Sequence, residues 1–260
     1  MWIEELTSEQ QALIYACREK WIKIAFSTEP IHRPKATEVA KRLYNLIGLK
    51  KPDIQFARSP YEALEMCIDP IELPPPEQSS SRSQEYLIGQ FKKVHGEPLY
   101  WEFRNRLWQT LYHCVQKQVK DDLFSQIDEE LKDRRAGEIF VGIFKYEPMH
   151  FLFQQLCRDL VARMKQKSSF LKILPEFFVW REYLIEATRC LDFCISVLHC
   201  DIDGELWEVF KSLLTECGWI FPWEETCFIC DRPIEISFGG YIRRERKLEL
   251  AVKFSDGYGF

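Results

Sequence analysis

The side chains best suited to chemistry lie close together, in the stretch CGWIFPWEETCFICDRP that runs from Cys217 to Pro233. Within it, Cys227-Phe228-Ile229-Cys230 has the CxxC spacing of thiol redox centres and zinc sites. Redox chemistry asks such a pair to open a helix, where the dipole lowers a thiol pKa. The flanking Thr226, Phe228 and Ile229 prefer a strand, and strand positions three apart point to opposite faces. A zinc site needs four ligands, and no second CxxC is present. His199, Cys200, Cys190 and Cys194 would have to complete one. Packed thiols are the expected state, with no metal and no cofactor.

The polar residues beside this pair are Glu224, Glu225, Asp231 and Arg232. Set among Trp219, Phe221 and Trp223, a carboxylate would be partly desolvated and its pKa raised, as a general acid requires. The simpler reading is that Asp231 and Arg232 make the hydrogen bonds that fix the turn before Pro233. The aromatics likewise have two readings, core packing or a binding surface of the Trp-rich kind that anchors partners. Both stay open at this level.

Elsewhere the chemistry thins out. None of the five histidines, His32, His95, His113, His150 and His199, pairs at i, i+4 with an acid between, so no zincin-like helix is present. A papain-like Cys/His pair, whose members lie far apart in sequence, stays open, although no cysteine carries a local nucleophile signature. GxSxG, P-loop and GxGxxG patterns are missing, which removes the backbone that hydrolase, nucleotide-binding and Rossmann chemistry needs. Ile242-Arg243-Arg244-Glu245-Arg246-Lys247 is a local basic cluster, read as a solvated loop. With 35 basic against 40 acidic residues the net charge is −5, so nucleic acid and anionic lipid are not the expected partners.

These residues need a scaffold. A chain of 260 residues with 46% hydrophobic content is globular and long enough to bury a sizeable core. The opening MWIEELTSEQ lacks the basic region and apolar core of a secretory signal. Several of the ten cysteines fall on apolar positions of helical patterns, among them Cys17, Cys157, Cys190 and Cys194. The expectation is a reduced, cytoplasmic protein that spans no membrane.

Thr7-Ser8-Glu9-Gln10 reads as a capping box opening a helix whose apolar face is Leu13, Ile14, Cys17, Trp21, Ile24 and Ala25. A second helix begins near Pro34, Asp53–Ala57 alternates like a strand, and Ser59-Pro60 caps a short helix. Residues 69–96 contain Pro74-Pro75-Pro76 and a serine run and read as a linker. From Phe103 to Leu131 apolar residues recur every fourth position. That spacing gains about 40° per step on an α-helix, so a break near Lys120-Asp121-Asp122 is expected. Ile139–Phe144 is ambiguous, Met149–Met164 returns to helical spacing, and Pro175 opens a further helix through Leu184, Leu191, Cys194 and Leu198. A helix from Asp203 ends before Gly218, after which Ile234–Phe238 and Leu248–Phe254 alternate about a Gly239-Gly240 turn.

The segment Gly218–Glu224, the Cys230-Asp231-Arg232-Pro233 motif and the closing Asp256-Gly257-Tyr258 resemble an uncharacterised, mainly cyanobacterial family. Leucines at every fourth residue are similar to the Phe103–Leu131 stretch, and Leu6–Gln10, Ser27–Ile31 and Ser59-Pro60-Tyr61 resemble the family's N-terminus. The chain departs at Lys247–Ala251, which lacks a histidine and a Gly-Pro element common in relatives. The resemblance implies a shared fold and no particular activity.

The fold expected is α+β, mainly helical with a small antiparallel C-terminal β-sheet. It divides into an N-terminal helical unit with a strand (1–68), a linker (69–96), a helical domain (97–216) and a β region packed on the helices (217–260). The leading functional reading is a cytoplasmic protein-interaction or regulatory module that uses aromatic surface around Trp219, Phe221 and Trp223. The edge of the C-terminal sheet would serve a partner or a second copy. The rival is an enzyme of unrecognised type with Glu224, Asp231 and Arg232 lining a pocket beside Cys227 or Cys230.

Overall fold

The structure is a computed structural model and describes residues 2–71, 81–131, 181–238 and 250–259. The fold is α+β and mainly helical, as expected. Helix α1 (Ser8–Ala25) opens with the capping box: Thr7 Oγ1 accepts from the Gln10 N–H at 3.2 Å, and Gln10 Oε1 accepts from the Thr7 N–H at 2.9 Å. Helix α2 (Arg33–Leu46) has Pro34 in its first turn and His32 as its cap. Strand β1 (Asp53–Ala57) leads into α3 (Pro60–Ile68), where Ser59 Oγ accepts from the Glu62 N–H at 3.0 Å.

The next element departs from expectation. Ser81–His95, read as linker, forms helix α4. Its serine-rich start hides an apolar spacing: Ile88, Phe91 and His95 lie three and four residues apart, and Phe91 and His95 are buried. Helix α5 (Tyr100–Phe103) runs through a π-helical stretch (Arg104–Gln109) into α6 (Thr110–Gln116), and α7 (Asp121–Leu131) follows. Helices α8 (Arg181–Ser196) and α9 (Gly204–Glu216) come next, the latter capped by Asp203. The readings placed on Ile139–Phe144, Met149–Met164, Pro175, the Gly239-Gly240 turn and the basic cluster at 242–247 lie outside the described residues.

The four-residue stripe is resolved in two ways. The chain breaks between Gln116 and Asp121, as the drift of the pattern requires. Before the break, a π-turn makes i→i+5 bonds, so a four-residue step there falls short of a full turn. On α segments the same step overshoots. The two errors oppose each other, and all eight residues from Phe103 to Leu131 in the stripe are buried. The break itself is pinned: Ile3 donates to Gln118 O at 2.8 Å and accepts from the Lys120 N–H at 3.1 Å.

Strands β2 (Ile220–Pro222) and β3 (Thr226–Cys230) form an antiparallel pair, and β3 also pairs in parallel with β1, giving the order β1-β3-β2. The register sets Gln55 and Phe221 on either side of Phe228. Strands β4 (Glu235–Phe238) and β5 (Leu250–Lys253) form the separate antiparallel pair that the alternation predicts. The mixed sheet was not expected, because nothing local in Asp53–Ala57 points to a partner so far along the chain. A strand of the N-terminal unit and a strand of the C-terminal region therefore share one sheet, and one continuous core runs from Ile14 to Cys230. Helix α9 packs on α2, and α1 packs on α8.

Central strand β3 is buried on both faces, which is why TCFIC reads as an apolar run rather than an alternation. The chain enters its neighbourhood through Gly218, where an added Cβ would lie 2.3 Å from Cys230 O. That neighbour is backbone and cannot swing away. Replacing Gly218 with Ala is expected to cost about 2 kcal/mol or more, as overpacking does. Urea denaturation checks this, and an unchanged midpoint would refute the close approach.

Candidate functional site

The chemistry-bearing segment is positioned by β2, β3 and the turn between them, and the six candidate residues separate into different environments. Phe221 and Trp223 are fully buried, and Trp219 is 9% exposed. The aromatic surface expected there does not exist. Trp223 stacks on Phe91 of α4 at 5.4 Å with the rings 7° from parallel. Its carbonyl accepts from the Tyr44 hydroxyl at 2.5 Å. Burying rings of this size is worth more inside than at a contact surface, so packing wins.

Glu224 sits on the exposed turn between β2 and β3, and Asp231 follows the far end of β3. The strand separates them. Asp231 pairs with Arg33 at 3.5 Å, with side chains 21% and 54% exposed. Arg232 turns inward. Its guanidinium donates to Ser27 Oγ at 3.2 Å, to Glu29 O at 3.3 Å and to Thr215 O at the end of α9. Burial lowers its pKa from the ordinary value. Arg232 is therefore a clamp joining the α1–α2 turn, the end of α9 and the end of β3, close to the simpler of the two expected roles.

The CxxC pair lies on a strand, as its flanks predict. Cys227 and Cys230 are fully buried, and burial pushes the Cys227 thiol up to about 12 and that of Cys230 well above its usual range. Burial does the same to Cys67. Thiols held in the neutral form are poor nucleophiles and poor ligands. Among the described residues no group of three or more His, Cys, Asp or Glu side chains is placed to hold a metal ion.

Two constellations escape sequence reasoning. The first is at the carboxyl ends of the parallel strands, where Ser59 Oγ donates to Asp256 Oδ2 at 2.5 Å and Tyr61 stacks on Tyr258 at 5.0 Å. Arg58 forks onto Glu62 at 2.8 Å and, hydrogen-bonded there, holds that carboxyl below its usual range. Ser59-Pro60-Tyr61 and Asp256-Gly257-Tyr258 are each visible as a cap and a turn, but only the fold shows that they meet. Glu62 and Asp256 are both engaged, so the cluster fastens the C-terminal turn to α3.

The second is an apolar cleft beside the π-helical stretch, with an empty volume of about 260 Å³ that includes space open to solvent. Leu107, Phe210 and Leu213 form its buried floor, and Tyr100, Arg104 and Trp108 its walls. The Arg104 guanidinium lies over Trp101 at 5.3 Å and over Trp108 at 6.0 Å. Trp101 is half exposed on the rim. The Trp108 Nε1–H is buried and has no acceptor among the described residues. Only a helix of mixed pitch sets these side chains around one opening, and the four-residue stripe was the trace of it in the sequence.

No protein-family model, curated protein or solved structure matches this chain. The clamp supplies a test of its own. Replacing Arg232 with Met strands buried carbonyls, and a loss of about 3 kcal/mol is expected in urea denaturation. Asp231→Asn breaks only an exposed pair and should move stability by less than ~1 kcal/mol. Equal effects would contradict the division drawn between the two.

Proposed function

We propose that this chain is a cytoplasmic protein-interaction module whose partner seats an apolar side chain in the cleft beside the π-helical stretch. The observation that carries this reading is the combination at one opening of an apolar floor, a cation and the exposed Trp101 ring beneath it. Arg104 favours an acidic neighbour for that apolar side chain. The exposed ring of Trp101 gives the contact the residue type that most often anchors interfaces.

No helix among the described residues is long and apolar enough to cross a membrane. The resemblance of residues 218–258 to the cyanobacterial family is compatible with this reading and assigns no activity of its own. Self-association through the edge of the β4–β5 pair is the second way such a module would work.

Affinity capture from the native cell, with wild type beside Trp101→Ala and Arg104→Glu, tests the cleft. Both residues lie outside the core, so the fold should survive. A partner that wild type retains should be lost by about tenfold or more in each variant, the scale of an interface anchor. Capture of the same proteins by all three forms would sink the proposal. Sedimentation of the purified chain separates a foreign partner from a second copy.

A further inference from the structure

His95 is a buried ring that the proposed contact does not use. It is 3% exposed and closes α4 at the point where α3, α4 and the β2–β3 turn meet. Its Nε2 lies 2.9 Å from Cys67 O in the last turn of α3. A carbonyl only accepts, so Nε2 carries the proton. Its Nδ1 lies 2.9 Å from Thr226 Oγ1, so the hydroxyl donates to it. The backbone carbonyl of His95 accepts from the Glu225 N–H at 2.9 Å. One neutral imidazole in one tautomer thus bonds two other elements, while its backbone bonds the turn.

The surroundings are matched to that neutral form. Trp223 and Phe228 lie against the ring at 5.4 and 5.6 Å, and Phe91 at 6.3 Å. The titratable groups nearby are the Cys67 thiol of α3, the Cys227 thiol of β3 and the Tyr44 phenol of α2, all kept neutral by burial. Charges sit outside. Lys92, one turn back in α4, pairs with Glu97 at 2.8 Å, and Glu224 and Glu225 occupy the exposed turn. Gly96, the next residue, is held at φ +80, and a Cβ there would lie 2.6 Å from Glu224 Cβ, so the backbone has little freedom to yield.

We propose that this joint is an acid-sensitive latch, in which a proton gained at Nδ1 releases α4 from the sheet. A second N–H at Nδ1 would face a hydroxyl hydrogen. Thr226 would have to turn its hydroxyl away, and the charged ring would sit buried among Trp223, Phe228 and Phe91. The tilted and edge-on rings around it offer some cation–π attraction. Burial is nevertheless the larger influence and lowers the pKa of the ring. The sign follows: the neutral joint is fully stabilising above the unfolded-state pKa of about 6.5 and loses that stabilisation as pH falls below it.

Hydrogen exchange of the full chain at pH 7 and pH 5, corrected for intrinsic rates, reads the latch directly. Protection of the amides of α4 and of Glu225 should drop about tenfold or more at the lower pH. Amides of α1 and α9 should change less. In His95→Gln, whose side chain does not titrate, the two pH values should give the same protection in α4. Should that variant fail to fold, nitrogen shifts of the wild-type ring decide the matter. A proton on Nε2 at pH 7 and titration below 6.5 support the latch. The Nδ1–H tautomer, titration at the ordinary value, or pH-independent protection of α4 in wild type would overturn it.

Discussion

The whole arrangement depends on a buried five-residue strand having both of its edges paired. Every backbone N–H and C=O of β3 that left water must find a partner, and neither face offers solvent as a substitute. One edge is served by β2, a few residues away in sequence, and the other by β1, more than 160 residues earlier. The chain cannot complete β3 without bringing its two ends together. A division into a free N-terminal unit and a C-terminal cap would leave one edge of β3 open, which explains why a single core runs across the boundaries that composition suggested.

The polar residues of the interior serve the same constraint. Tyr44 of α2 holds the Trp223 carbonyl beside the start of β3, and Arg232 grips the α1–α2 turn and α9 beyond its end. His95 joins α3 to Thr226, the first residue of the strand. Tyr44, Arg232 and His95 are each committed to a backbone carbonyl. A hydrogen bond to a buried carbonyl is costly to break, so these groups are poorly placed to exchange partners during a reaction. Tyr44, Arg232 and His95 act as fasteners around one strand.

Local signals were legible where local physics decides them. The capping box at Thr7, the Ser59 and Asp203 caps and the β4–β5 alternation all depend on residues within a few positions of one another. The strand character of Cys227–Cys230 was also visible, and with it the argument against a shared metal. What sequence could not show was which elements meet. Trp, Phe and Arg occur both in cores and in contact surfaces, and only the arrival of α4 over Trp223 decides between them. Helix α4 itself was obscured because a serine-rich start resembles a linker in composition while its later residues keep helical spacing.

The π-helical stretch has a cause in packing. Such turns are frequent at functional sites, yet here the stripe supplies an independent reason for one. Apolar residues at every fourth position cannot all face the core from a straight α-helix, and the wider turn returns the pattern to register. The turn therefore needs no ligand to explain it. The unpartnered indole N–H of Trp108 is different, because core packing would be equally good with a residue that has no donor to leave unsatisfied. Arg104 lies over the rings of Trp101 and Trp108 beside the cleft, and the irregular helix is what carries it there.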